Sequence, residues 1–324
     1  MGMKDYLIRR SIQLVITFFI LVTISFFLFR VMPGDPTAML LLNPQLDPET
    51  RLLLKKKLGL DLPWHIQYFV FIKNLFMGEF GVSFYHGKPV IDVILGIRLF
   101  NTVMLVGSST VLAIIIGIIL GCIAAWRRGS PIDLASIVSS LLFYSMPVFW
   151  LGMLLLLIFA VRMGLFPVSG TITAGVYHPD IFSYICDYLW HMTLPAICLT
   201  LIQIGGNFLI MRNTLLDVLS EDYIVTAMAK GLSDRQVLFR HAMRNAMLPM
   251  VTIIALQLAF IVSGATLTET VFSWAGLGKL VADAVFERDY PLLQGIFIIT
   301  SILVLFANFL ADIVYAYLDP RIRY

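Results

Sequence analysis

Ser11-IQLVITFFILVTISFFL-Phe29 is a run of 19 residues without a charged side chain. A hydrocarbon core about 30 Å thick is crossed by roughly 20 apolar residues in a helix, so this stretch can span a bilayer. Lys4, Arg9 and Arg10 precede it, and Arg30 and Pro33 end it. A basic start before an apolar run also marks a signal peptide, but that apolar region is about 7–15 residues long and leads to a small-residue cleavage site. No such site follows here, and a retained first span over about 10–30 is expected.

Working outward, stretches at about 102–126, 134–161, 190–211, 247–271 and 292–317 meet the same length test. Of the 324 residues, 59% are hydrophobic and 13% charged, against about 45–50% and about 25% in soluble domains. That leaves too little polar surface to cover a fold in water, so the lipid bilayer is the expected solvent. The fold class expected is an all-α integral membrane protein with six transmembrane helices. The net charge of +3 is scattered and gives no footprint for nucleic acid. Cys122, Cys186 and Cys198 are odd in number and widely spaced, neither a disulfide framework nor a metal site.

Six spans put both termini on one side, and Lys and Arg indicate which. The proposed inner segments carry 12 of them, and the two short outer loops carry three: Arg162, Lys279 and Arg288. The first outer loop carries eight but is too long for the rule to apply cleanly. Both termini are therefore expected in the cytoplasm of a multi-pass protein of the cell (inner) membrane. Three regions follow: a tail and first span (1–30), a long extracytoplasmic loop with short helices (31–100), and a core of five spans (101–324) with a cytoplasmic loop at 212–246.

In the outer loop, Met32-Pro-Gly-Asp-Pro36 is a turn signal. Asp47-Pro-Glu49 leads into a short helix over Arg51–Leu58, and Pro63 stands where another begins. Trp64–Phe76 is apolar and aromatic but only 13 residues long, which suits a helix at the membrane interface. Pro89 opens a third short helix that runs into the second span. The loop reads either as a cap on the outer ends of the spans or as a contact surface for an extracellular partner.

Residues 212–246 read as two short helices. Ser220 is placed to N-cap the first, with Glu221 and Asp222 complementing the helix dipole. Ile224, Ala227, Met228 and Gly231 fall on one apolar face. Lys230 sits in the last turn and Gly231 at the stop position. Ser233-Asp-Arg-Gln236 forms a capping box for a second helix, which runs through His241, Arg244 and Asn245 to Pro249 at the opening of the fifth span. Such a helix either lies on the lipid interface or docks a partner. Ala227, Ala229 and Gly231 are small enough to let another surface approach the backbone.

Tyr223-IVTAMAKG-Leu232 followed by His241-AMRNAML-Pro249 resembles the coupling loop of binding-protein-dependent ABC importer permeases, most closely the dipeptide, oligopeptide and nickel branch. The wider family's loop is Glu-Ala-Ala, three residues, Gly, nine residues, Ile, one residue, Leu-Pro. Gly231 and Ala227 match the glycine and second alanine; Val225 and Thr226 replace the glutamate and first alanine; His241, Met243 and Arg244 stand where Ile, Leu and Pro would be. These departures are those of the peptide branch. Other segments resembling it cover nearly the whole chain: Met32–Pro36, Leu58–Asp61, Gln67-Tyr68, Gly78–Gly81, Ser145–Trp150, Phe166–Gly170, Glu269 with Phe272–Gly278, Arg288–Pro291, Asn308–Asp312 and Asp319–Arg323. Ala275 departs, since the family usually has proline there, and should loosen that turn.

The resemblance implies the type I ABC importer permease fold and the first (B-type) of two related permease subunits. It implies partnership with a second permease, two ABC ATPase subunits and an extracytoplasmic solute-binding protein. The chain itself lacks a Gly-x-x-x-x-Gly-Lys-Ser/Thr phosphate loop, so no cofactor is expected on it, no catalysis, and ATP and Mg in the partner subunits. Glu221, Asp222, Tyr223, Ala227, Lys230, Gly231, Leu232, His241, Arg244 and Asn245 are the implied coupling residues.

Within the spans, Gln203, Asn207, Gln257, Asn308 and Asp312 are polar and are pathway candidates. An interhelical hydrogen bond is the alternative for Gln203 and Asn207. Asp312 lies near the inner end of its span, where Arg321 or Arg323 would pair with it. Gly117 and Gly121 form a Gly-x-x-x-Gly pair expected to serve helix packing. The five histidines have no ligand-like spacing, and no metal site is expected. Peptides are the default solute, with nickel or oligosaccharides open. A secondary transporter would have no use for a docking helix, and an intramembrane enzyme would need a catalytic set that the spans lack.

Overall fold

The computed structural model describes residues 3–31 and 62–318. The expected turn at Met32–Pro36, the helix at Arg51–Leu58, the Leu58–Asp61 motif, Arg321 and Arg323 lie outside the described residues. Among the described residues the regular structure is helical: α1 (Met3–Val31), α2 (Trp64–Phe76), α3 (Val90–Leu95), α4 (Ile97–Trp126), α5 (Pro131–Ser145), α6 (Val148–Leu155), α7 (Ile181–Leu219), α8 (Asp222–Ala229), α9 (Asp234–Gln236), α10 (Met243–Ala259), α11 (Thr266–Val271), α12 (Leu277–Phe286) and α13 (Tyr290–Leu318). π-helical turns extend α6 over Leu156–Arg162 and join α9 to α10 over Val237–Ala242. Five helical stretches are long and apolar enough to cross a membrane, six if α5 and α6 with its π turn are one bent span.

Two expected spans differ in detail. The third, 134–161, is two helices bent by 102° at Met146 and Pro147. Proline disfavours helical backbone in the residue before it, and Met146 is extended, with ψ 136°. The fifth, 247–271, stops at Ala259, passes through a 3₁₀ turn at Ile261–Ser263, and resumes as α11 after Gly264 (φ +79°).

The chain divides into two compact units, Met1–Asn101 with Ala275–Tyr324, and Thr102–Trp274. In the first, α1 packs along α13. Phe26 meets Tyr68 and Phe71 of α2 at ring distances of 5.3 and 5.4 Å, and Thr23 Oγ1 lies 2.7 Å from the Tyr68 hydroxyl. Val22, Leu75 and Ile298 are buried where α1, α2 and α13 meet. The 13-residue helix thus rests on spans and leaves Phe69 and Phe76 exposed. Gly96 separates α3 from α4. Val90 and Ile94 of α3 pack on Leu277, Leu280 and Ile296, a contact that needs Gly295 because a Cβ there would collide with Val90. Asp289 is buried and accepts from Ser83 Oγ (2.5 Å), Tyr85 N–H (3.1 Å) and Leu292 N–H (3.2 Å), pinning the loop before α3 to the start of α13. Asn101 Nδ2 donates to the Ala275 carbonyl at 2.8 Å.

In the second unit α7 is the central post, touched by α5, α6, α10 and α11. Asp180 N-caps it, accepting from the Ser183 N–H at 2.7 Å, and that bond holds the Asp180 carboxyl below its usual range. A Cβ on Gly117 would lie 2.6 Å from Asn207 Cβ, and one on Gly121 2.8 Å from Met211 Cβ, so the Gly-x-x-x-Gly pair lets α4 press against α7. Gly205 does the same for α5, with Ser140 O and Tyr144 Cβ each 2.7 Å from where its Cβ would be. Asp187 in the first turns of α7 accepts from Thr173 N–H and Oγ1 of the preceding loop at 2.7 Å each, flanked by His178 of that loop and His191 of α7 at 3.3 Å.

Candidate functional site

The segment between α7 and α10 is built on an extension of α7. That helix does not end near 211 but continues to Leu219. Ser220 is therefore the C-cap of α7, its hydroxyl donating to the Asp217 carbonyl at 2.7 Å, and not the N-cap expected for α8. Glu221 takes the N-cap position of α8 without a side-chain bond, and Asp222 sits in the first turn. Lys230 caps the C-terminus, and Gly231 follows at φ +77°, the left-handed backbone that glycine adopts without strain. Ser233 and Gln236 close the expected capping box, with Gln236 Oε1 accepting from the Ser233 N–H at 3.0 Å.

Two buried side chains seat the inner face of α8. Ile224 and Ala227 are buried with Met211 and Leu215 of α7, Val237 and Ala242 of the π turn, and Ala246 and Met250 of α10. Leu232 packs against the same cluster. Burying an isoleucine side chain contributes roughly 1.5–3 kcal/mol, so α8 is fixed to the ends of two long helices by its inner stripe. Glu221, Asp222, Tyr223, Val225, Thr226, Met228, Ala229, Lys230 and Gly231 are exposed. Met228, expected on the inner face, is outside. Asn245 Nδ2 donates to the Tyr223 hydroxyl at 2.7 Å, tying α8 to α10. His241 is half-buried and Arg244 exposed. Pro249 does not open the fifth span; it lies inside α10, where its missing N–H leaves the Asn245 carbonyl without its helical donor.

One pair that the sequence reading missed braces the same end of the unit. Arg212 Nε and Nη2 donate to Asp133 Oδ1 and Oδ2 at 2.7 and 2.9 Å, a two-point contact joining α7 to the start of α5. Asp133 Oδ2 also accepts from the Gly129 N–H at 3.0 Å. The signal available was one acid and one base at span ends, each without a local partner in sequence.

The pathway candidates separate into two sets. Thr110 Oγ1 donates to Gln203 Oε1 (3.0 Å), Asn207 Nδ2 to the Gln203 carbonyl (3.2 Å), and Gln257 Nε2 to Asn207 Oδ1 (3.0 Å). This polar chain links α4, α7 and α10, and it gives Gln203 and Asn207 the interhelical bonds weighed for them. Gln257 Oε1 is buried with no protein partner. In the other unit, Asn308 Oδ1 is likewise buried and unpartnered. Asp312 pairs with Arg10 of α1 at 3.1 Å, while Arg321 and Arg323, the partners expected for it, lie outside the described residues.

Residues 117–324 match the model of the binding-protein-dependent transport system inner membrane component, and residues 3–106 match the N-terminal model of such membrane components. The oligopeptide transport system permease protein AppB of Bacillus subtilis is 38% identical over 99% of this chain and all of its own length. The dipeptide transport system permease protein DppB of Escherichia coli K12 is 38% identical over 99% of both chains. The glutathione transport system permease protein GsiC of an E. coli O1:K1 strain is 37% identical over 99% of this chain. Among solved structures, a chain of the MetNI methionine ABC transporter, inward-facing, shares the fold with a TM-score of 0.54 at 16% identity, covering 68% of this chain and 94% of that one.

Proposed function

The chain belongs to the family of binding-protein-dependent transport system inner membrane components, and on that premise we propose that it is one of two permeases forming the pathway of an ATP-driven importer of di- and oligopeptides. The peptide solute is supported by relatives named for oligopeptides, dipeptides and glutathione that match over nearly the full chain. A second homologous permease, two ATPase subunits holding ATP and Mg, and an external binding protein complete the machine. Both termini lie in the cytoplasm, on the side of α8.

The observation that carries this reading is the mounting of α8: an inner stripe of Ile224 and Ala227 locked onto α7 and α10, and an outer surface left exposed. Closure of the ATPases on nucleotide pushes that surface, and α7 and α10 move with it. This is a population shift between inward- and outward-open states, biased by nucleotide binding to one of them. Gln203, Asn207, Gln257, Asn308 and Asp312 are the pathway candidates of this reading.

Affinity purification of this chain from native membranes in mild detergent is the test. Recovery of a sister permease and ATPase subunits is expected. Recovery of the folded chain alone, with ion-driven peptide flux after reconstitution, would replace the ABC reading with a secondary transporter.

A further inference from the structure

The end of α4 and the π turn enclose an apolar groove of about 570 Å³ that the coupling assignment does not use. Ile119 and Ile123 of α4 form one wall; Leu238, Phe239 and Met243 form the other; Cys122 lines it. Trp126 and Arg127 stand at its end, where α4 leaves the apolar span. Phe239 also lines an adjoining surface depression that Arg240 shares. Among the described residues neither the Arg127 nor the Arg240 side chain makes an ion pair or a hydrogen bond.

We propose that this groove binds one anionic phospholipid, with an acyl chain against Ile119, Ile123 and Phe239 and the headgroup phosphate held by Arg127 and Arg240. Three features favour a lipid over other occupants. The volume lies within the roughly 300–1,000 Å³ of small-molecule sites. The apolar wall continues along α4 through exposed Ile115, one turn before Ile119 on a helix long and apolar enough to cross a membrane. Trp and Arg together at a span's end form an interfacial anchor, and each basic residue near a membrane surface favours anionic over neutral lipid. Leu238 and Phe239 of the second wall come from a π-helical turn, a feature frequent at functional sites. That turn also supplies Val237 and Ala242 to the cluster under α8. A lipid seated here therefore braces the coupling helix, and its headgroup charge tunes how firmly.

Cys122 provides a readout that needs neither solute nor ATP, so it stands or falls separately from the importer reading. The complex purified from membranes is placed in nanodiscs of phosphatidylcholine, with or without phosphatidylglycerol. Alkylation of Cys122 by N-ethylmaleimide is followed by peptide mass spectrometry, with exposed Cys186 as the internal reference. Phosphatidylglycerol is expected to slow Cys122 labelling relative to Cys186, and Arg127→Gln or Arg240→Gln each to weaken lipid binding by about fivefold. Equal labelling in both membranes overturns the proposal. So does slowing that persists in the Arg127→Gln, Arg240→Gln double variant, and so does protection that depends on the sister permease and not on lipid charge.

Discussion

At the scale of single residues, Gly231 and Asp133 separate two kinds of importance. Gly231 has φ +77° and no atom within 4 Å of where a Cβ would be, so its constraint is conformational and not steric. Aspartate is among the residues that tolerate left-handed backbone. Gly231→Asp is therefore expected to leave folding and assembly intact while placing a new charge at the exposed end of α8. Peptide uptake should be lost at normal expression; unchanged uptake would remove α8 from the coupling role. Asp133 is the opposite case. Its carboxylate is almost fully buried against Arg212, and breaking a buried pair costs roughly 3–5 kcal/mol. Asp133→Asn should lower the unfolding midpoint in detergent clearly. Arg10→Gln, which breaks the more exposed pair with Asp312, should cost about 1 kcal/mol or less. A larger loss from Arg10→Gln than from Asp133→Asn would reverse that ranking.

At the scale of elements, helix contacts decide what the spans tolerate. A Cβ on Gly121 would meet Met211 Cβ at 2.8 Å and Phe208 O at 2.9 Å, while one on Gly107 would lie at 3.7 Å from Ile261. Gly121→Val should destabilise by about 1–3 kcal/mol and reduce the yield of folded protein, whereas Gly107→Ala should be neutral by thermal unfolding. Gln257→Leu removes one interhelical bond, worth about 0.6 kcal/mol on average in membranes. A uptake defect much larger than that small loss of stability would support a role in the pathway; a matching small change would leave the residue as helix glue. The apolar runs made these elements legible, because burial in lipid demands them regardless of detail. Where helices break was less legible. Phe260-Ile-Val-Ser-Gly264 stays apolar through the end of α10, so hydropathy reads across it. Pro147 was visible, but its effect on Met146 concerns backbone geometry, which a hydropathy run does not weigh.

At the scale of the whole molecule, the readable part was the order of motifs, and the unreadable part was long-range pairing. Residues 212–246 announced a helix, a glycine stop and a capping box through local chemistry, and these formed. Ser220 went to the wrong helix because the length of α7 depends on packing beneath α8, a tertiary effect. Asp312 also pairs with Arg10, far away in sequence, which spacing alone does not disclose. ATP-driven import requires the outer face of α8 to receive the ATPases, and site-directed cross-linking tests this directly. Val225 is exposed on that face, and Tyr177 is exposed in the loop before α7. In the assembled complex, a cross-linker at Val225→Cys should capture an ATPase subunit and stop ATP-driven peptide uptake, while one at Tyr177→Cys should capture none. No ATPase adduct at Val225→Cys, or equal capture at Tyr177→Cys, would contradict the coupling role of α8.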